Sequence, residues 1–350
     1  MPLTPSSPQV PASLGYRWPA EWEPHGATWL SWPHNRRTWP GAFSPVPPLF
    51  ARFVRTLAQY EPVHICAGGE AVLAEARLLV GDVPHVTLHD IPTNDAWCRD
   101  HGPMFLSGAG LPPALVHWDY NAWGHKYAPI DSDQNVPRRI AELQGRRRFQ
   151  PGIVMEGGAL EGNGCGTILT TDSCLLNPNR NPQLGREQIE QYLADFLGAK
   201  KVLWLPRGEL AGDDTDGHVD QLARFVNPTT IVAAFENNPA DVNFATVQAN
   251  FAQLQTMTDQ DDQPLTVIPL PLPAPQLHRG LANLRMPASY CNFHIANGVV
   301  LVPQFDDPHD RLALDTLAPY FPSRQLIGLP ARDLVWGLGA YHCLSQQEPV

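Results

Sequence analysis

Four short stretches of this chain carry side chains that could do chemistry together. GLGAYHC, residues 337–343, sets a thiol, Cys343, beside His342 close to the last residue. GDDTDGHVDQLARFV, residues 212–226, has His218 and Asp220 two apart before an apolar run, a spacing that on a strand would face both side chains one way. Asp213, Asp214 and Asp216 crowd the preceding loop. TNDAWCRDHGP, residues 93–103, groups Asp95, Arg99 and Asp100 with Trp97, and its DHGP turn is expected to expose a carboxylate. VMEGGALEGNG, residues 154–164, puts Glu156 at the end of an apolar run, ahead of glycines that would let backbone approach a ligand.

Each stretch also has a plain reading: a frayed terminal tail, a solvated acidic loop, a surface Arg99–Asp100 pair of little worth, a simple glycine turn. Read as chemistry, Asp and His at this density could hold a divalent metal. Alternatively, His218 is a general acid/base and the carboxylates grip a cation. Cys343 adds a nucleophile, which needs thiolate character and a nearby acid/base group. Carboxylates around a thiol raise its pKa, which suits an acyl-transfer site poorly but suits a substrate that arrives as a permanent cation. A guanidinium is such a group: planar, always protonated and matched by carboxylate pairs, with its central carbon left open to sulfur.

These residues need a frame, and several segments repeat one plan of amphipathic helix followed by short apolar strand. PPLFARFVRTLAQYEPVHICAGG, REQIEQYLADFLGAKKVLWLPRG, FATVQANFAQLQTMTDQDDQPLTVIPLPLP and HDRLALDTLAPYFPSRQLIGLP all follow it, with NVPRRIAELQGRRRFQ a weaker fifth. ATWLSWP, TILTT, IVAAF and GVVLVP read as buried strands between them. No linker or charge run divides the chain, so residues 1–13 are expected to be a flexible leader and 14–350 one α/β domain.

The totals narrow the class. A formal charge of -11 over 350 residues argues against a nucleic-acid partner. No run of apolar residues is long enough for a membrane span, and the start lacks the pattern of a secretory signal. The six cysteines form no CxxC pair or framework, so reduced thiols and a cytoplasmic location are expected. Trp18, Trp22, Trp29, Trp32 and Trp39 could be a cation cage, though core packing is the expected role for most. His25 and His342 are expected to be structural, with His342 turned away from Cys343.

At the quoted residues the chain resembles the agmatine deiminases, of the bacterial peptidylarginine deiminase-type family in the guanidine-modifying superfamily. The resemblance runs from about Gly15 to Pro349. It includes YRWPAEWEPHGATWLSWP, TNDAWCRDHGP, YNAWGHKY, MEGGALEGNGCGTILTTDSCLLNPNRNP, GDDTDGHVDQLARF, RMPASYCNFHIANGVVLVPQF and the HCLSQQ tail. It implies a pseudo-fivefold α/β propeller, the pentein fold, of ββαβ-type units. It implies that Cys343 attacks the guanidinium carbon and that His218 protonates the departing ammonia and then activates water. Asp100 and Asp220 would bind the guanidinium nitrogens, Glu156 would hydrogen-bond His218, and Trp97 and Asp214 would line the substrate pocket. It implies agmatine as substrate, no metal or organic cofactor, and a homodimer.

The chain departs from the family's usual GGGNIHC at Leu338, Ala340 and Tyr341, and Ser345 replaces a threonine. Leu338 and Ala340 are expected to border the substrate and so bear on its choice. Cys98 is expected to be the one other thiol near the site, and Cys291 a buried apolar residue. Free or peptidyl arginine is the neighbouring substrate class; an α-carboxylate would need a cation, for which Arg279 or Arg285 are candidates. The rivals of other classes are a metal-dependent ureohydrolase and a catalytically silent polyamine-binding protein.

Overall fold

The computed structural model of the chain describes residues 10–278 and 284–350. The expected leader falls mostly outside them; Pro11–Leu14 form a single 3-10 turn ended by Gly15.

Helix-forming periodicity appears where the sequence places it, and its buried faces explain it. Val46–Leu57 buries Val46, Phe50, Phe53, Val54 and Leu57, spaced three and four apart. Arg186–Leu197 buries Ile189, Leu193 and Leu197 and stops where Gly198 turns left-handed at φ 73°. Val136–Gln144, Phe244–Leu254 and His309–Leu317 repeat the pattern.

Each of these five helices leads into a strand that pairs parallel with the strand before the helix. Val63–Cys66 lies beside His25–Ser31, Arg148–Phe149 beside Leu111–Val116, and Lys201–Leu205 beside Thr167–Thr171. Thr266–Pro271 pairs with Thr230–Phe235, and Gln325–Pro330 with Val299–Gln304. Each sheet also has an antiparallel neighbour on the other side, so the described residues form five sheets on one plan, a mixed α/β fold. Central strands such as Val299–Gln304 are buried on both faces, hence their continuous apolar sequence.

The fifth sheet joins the chain's two ends. Ser345–Pro349 pairs antiparallel with His25–Ser31, Ser345 facing Leu30. That pairing buries the tail and fixes the turn just before it, which contains Cys343. The early tryptophans are core: Trp29, Trp32 and Trp39 are fully buried, and none of the five lines the main cleft. Among the described residues no helix is long and apolar enough to cross a membrane.

Candidate active site

Cys343 sits in a one-turn helix, Tyr341–Leu344, and is 6% exposed. Because this is a turn rather than a strand, His342 does not point away from the site as strand alternation would have it. Its Nδ1 lies 2.7 Å from Asp220 Oδ2, and its Nε2 lies 2.9 Å from Glu21 Oε2. The Cys343 thiol donates to the same Asp220 Oδ2 at 3.4 Å. Asn292, which the sequence reading passed over, fixes this turn: Oδ1 accepts from the Ala340 and Cys343 amides, and Nδ2 contacts Cys343 Sγ at 3.0 Å.

The glycines before Cys343 serve close approach rather than bending. A Cβ on Gly339 would come within 2.6 Å of the Trp97 ring and 2.9 Å of Cys343 Cβ. The left-handed residue is instead Leu338, at φ 76°. It lines the cleft, whereas Ala340, expected to border substrate, is buried behind it.

His218 and Asp220 converge through a turn, not a strand; His218 precedes the 3-10 turn Val219–Gln221, and the strand begins only at Ala223. Asp100 is not on an exposed turn but in the buried helix Cys98–His101, since Arg99 swings inward to donate to Gln346 and Gln347. Asp100 Oδ1 accepts from the Gly158 amide at 3.0 Å and Oδ2 from Trp123 Nε1 at 3.0 Å. Gly158 is where the three polar groups meet. A Cβ there would lie 2.6 Å from His218 Nδ1, 2.8 Å from Asp100 Oδ1 and 3.2 Å from Asp220 Oδ2.

Glu156 makes no hydrogen bond to His218. Its Oε1 accepts from Arg180 Nε at 2.6 Å, while Oε2 and both His218 ring nitrogens have no hydrogen-bond partner among the described residues. Glu156, His218 and Cys174 nonetheless bring donor atoms within 4.8 Å of one another. Cys174, not Cys98, is thus the second thiol at the site; Cys98 packs with Trp29, Cys66 and Phe105. The three could hold a metal by donor type, but the Arg180 guanidinium already occupies the cationic position against Glu156.

Burial sets the titration. It pushes the Cys343 thiol well up, and the nearby Asp220 and Asp100 push further. It raises Asp100 to about 6 against the pull of His218. Burial opposes the His218 imidazolium, but Asp100, Cys174 and Glu156 outweigh it and hold its pKa well above the usual histidine range. Asp220 is lowered despite burial, chiefly by its hydrogen bond with His342.

Asp100 and Cys343 line a cleft of about 430 Å³, and His218 and Asp220 are buried just behind them, respectively 3.6 Å from Asp100 Oδ1 and 3.4 Å from Cys343 Sγ. Its walls include Trp97, Trp123 and Trp336, and Asp95, Asp100 and Asp214 give it negative charge. Trp97 rests on Trp39 with ring centres 5.5 Å apart. Asp214 accepts a hydrogen bond from Tyr127. Asp213 instead holds Thr215 and Gly217, and Asp216 holds Lys126, Asn179 and Arg180; neither lines the cleft. Of the candidate cations, Arg285 is paired with Asp241, and Arg279 lies outside the described residues. Arg37 and Lys126, not foreseen, reach the rim, where Lys126 is paired with Asp216.

Fold and site together define a cysteine hydrolase type of centre, in which a buried thiol and Asp100 face an acidic, aromatic cleft and a histidine and a second carboxylate lie buried behind them. Residues 17–349 match the Porphyromonas-type peptidyl-arginine deiminase family, and the chain belongs to it. It is 38% identical to an agmatine deiminase of Stutzerimonas stutzeri (strain A1501), the match covering 97% of both chains. An agmatine deiminase structure from Enterococcus faecalis superposes with TM-score 0.93 at 32% identity, covering 97% of this chain and 98% of that one. A dimethylarginine dimethylaminohydrolase structure shares only 12% identity, with TM-score 0.51 over 92% of this chain and 99% of that one, a likeness of fold alone.

Proposed function

We propose that this protein is an agmatine deiminase, hydrolysing agmatine to N-carbamoylputrescine and ammonia in the cytoplasm. The observation that carries the reading is the convergence of Cys343, Asp100, Asp220 and His218 around the bare face of Gly158. The guanidinium sits between Asp100 and Asp220, cancelling the two charges that hold the Cys343 thiol protonated, so that binding itself favours the thiolate. Sγ attacks the central carbon, and the C–N bond breaks as His218 gives its proton to the departing ammonia. Water, deprotonated by His218, then displaces sulfur from the thiouronium carbon and leaves the ureido product. Glu156, anchored by Arg180, supports the His218 imidazolium through charge. Trp97 and the other rings wall the methylene chain, and Asp214 faces the distal ammonium. No metal or organic cofactor takes part.

Residues 14–350 form one catalytic domain whose five sheets stand around a pseudo-fivefold axis, as in the pentein fold, and the active species is a homodimer.

The test is product analysis of agmatine turnover in the presence of EDTA, wild type against Cys343→Ser, with free and peptidyl arginine as competing substrates. Ammonia and N-carbamoylputrescine from the wild type alone are expected. Urea and putrescine would establish a ureohydrolase instead, binding without turnover a silent receptor, and preference for an arginine the neighbouring substrate class.

A further inference from the structure

His342 and Glu21 lie beneath the site and take no part in the chemistry above. Both His342 ring nitrogens meet carboxylate oxygens at hydrogen-bond distance, Asp220 Oδ2 at 2.7 Å and Glu21 Oε2 at 2.9 Å. An ionised carboxylate only accepts, so each contact needs a hydrogen on the ring nitrogen that makes it. Glu21 is itself held from several sides. Arg224 Nη2 donates to Oε2 at 2.6 Å, and the Ile295 amide donates to Oε1 at 2.6 Å. Arg224 in turn donates to Glu161 and to the Cys291 and Phe293 carbonyls, which ties this frame to the strand edges around it.

The two Asp220 oxygens are therefore unequal. Oδ2 takes the His342 hydrogen and the Cys343 thiol, while Oδ1, fully buried, has no hydrogen-bond partner among the described residues. We propose that Glu21 and His342 are positioning residues that clamp Asp220 through Oδ2 and present Oδ1 to the substrate guanidinium. The inference rests on the guanidinium reading of the site but not on agmatine as the particular guanidine.

The charged surroundings of Asp220 agree with this assignment. His218 on its own turn, Arg224 on the next strand, and Asp100 and Arg99 on the helix Cys98–His101 all act on it. None of these hydrogen-bonds its carboxylate; His342 does, and that bond is the chief reason Asp220 is lowered despite burial. Asp100, with no such partner, is raised to about 6. In the wild type, Asp100 but not Asp220 should then contribute to the acid limb, beside Asp95 in the same cleft and the Cys343 thiol itself. Without His342, Asp220 should rise and join them, and the limb should steepen by up to one further proton relative to wild type.

The experiment compares two alkylating probes of Cys343, cationic 2-chloroacetamidine and neutral 2-chloroacetamide, in wild type, His342→Gln and Glu21→Gln. In each, Sγ forms a bond to the probe's methylene carbon as chloride leaves, and mass spectrometry verifies the modified peptide. His342→Gln is expected to cut the cation's rate advantage roughly 10- to 100-fold, the size of one lost hydrogen bond to a charged group. It should also steepen the acid limb of the cation's rate, and Glu21→Gln should act in the same direction by less. A folded variant with a lower melting temperature but an unchanged cation advantage and unchanged slope would overturn the inference and leave His342 a packing residue. If His342→Gln does not fold, Glu21→Gln carries the test by the same two readouts. Failure of the agmatine reading shows separately, as a wild type that prefers the cationic probe yet releases no ammonia from agmatine.

Discussion

Trp123 is the most direct handle on the charge state of the site. Its Nε1–H donates to Asp100 Oδ2 at 3.0 Å, and Trp123→Phe removes that donor while keeping an aromatic wall. A hydrogen bond to a carboxylate stabilises the charged form by about 1.5–3 kcal/mol, and 1.36 kcal/mol corresponds to one pKa unit. Asp100 keeps the Gly158 amide as a second donor, so the lower end applies. Its pKa, now about 6, should rise by about one unit on this arithmetic. In the proposed mechanism Asp100 must be ionised to take the guanidinium, so activity should be lost as pH falls through its pKa. A higher pKa therefore moves the loss to higher pH. Rates of ammonia release from agmatine, measured across the acid limb, should give a kcat/KM for Trp123→Phe that is down roughly fivefold near the wild-type midpoint and close to wild type well above it. A uniform drop at every pH would mean that the indole serves packing alone, and an unmoved limb would refute Asp100 as the group that titrates.

Three further outcomes follow from particular contacts. Leu338→Gly removes a side chain from the cleft wall at a left-handed position, where a leucine is strained by about 1 kcal/mol. Its thermal midpoint should not fall, while discrimination among guanidines of different tail should relax; a clear drop in midpoint would show that packing outweighs strain. Arg180→Met strips the buried Glu156 of its partner at 2.6 Å and should cost about 3–5 kcal/mol in denaturant unfolding. A loss under about 1 kcal/mol would show that the pair adds little. Asp214→Asn should raise KM for agmatine roughly tenfold with kcat little changed, the mark of a group that binds substrate and transition state alike. An equal fall in kcat would instead place Asp214 in the chemical steps.

Much of the frame was legible because helix and strand periodicity are local. Ile189, Leu193 and Leu197 predict one buried helical face, and the helix Arg186–Leu197 has it. The site was legible as residue types: Cys343, Asp100 and Trp97 do line one cleft, with His218 buried 3.6 Å from Asp100. Their support was less so. Asn292, Trp123, Arg180 and Cys174 lie far along the chain from the groups they hold, and no spacing rule connects them. Conformation at the motifs was misread for a related reason. His218, Asp100 and Cys343 all sit on single turns, too short for any periodicity to register, so strand alternation and exposed-turn arguments sent His342 and Asp100 the wrong way.

The sequence by itself determined the inventory: a thiol, acid/base groups, carboxylates and small residues, on repeated helix–strand units within an acidic chain. Side-chain chemistry and hydrophobic periodicity are properties of residues and their near neighbours, so they survive without coordinates. Tertiary structure alone decided that the tail's strand pairs with His25–Ser31, which turns a terminal cysteine into the floor of a cleft. It also decided which carboxylate is charged. Asp100 and Asp220 are alike in sequence and equally buried, yet one is raised and the other lowered. The difference lies in what each one's oxygens touch, a direct His342 hydrogen bond for one and neutral donors with His218 at 3.6 Å for the other, and contacts between residues 23 to 122 positions apart are made only when the chain folds.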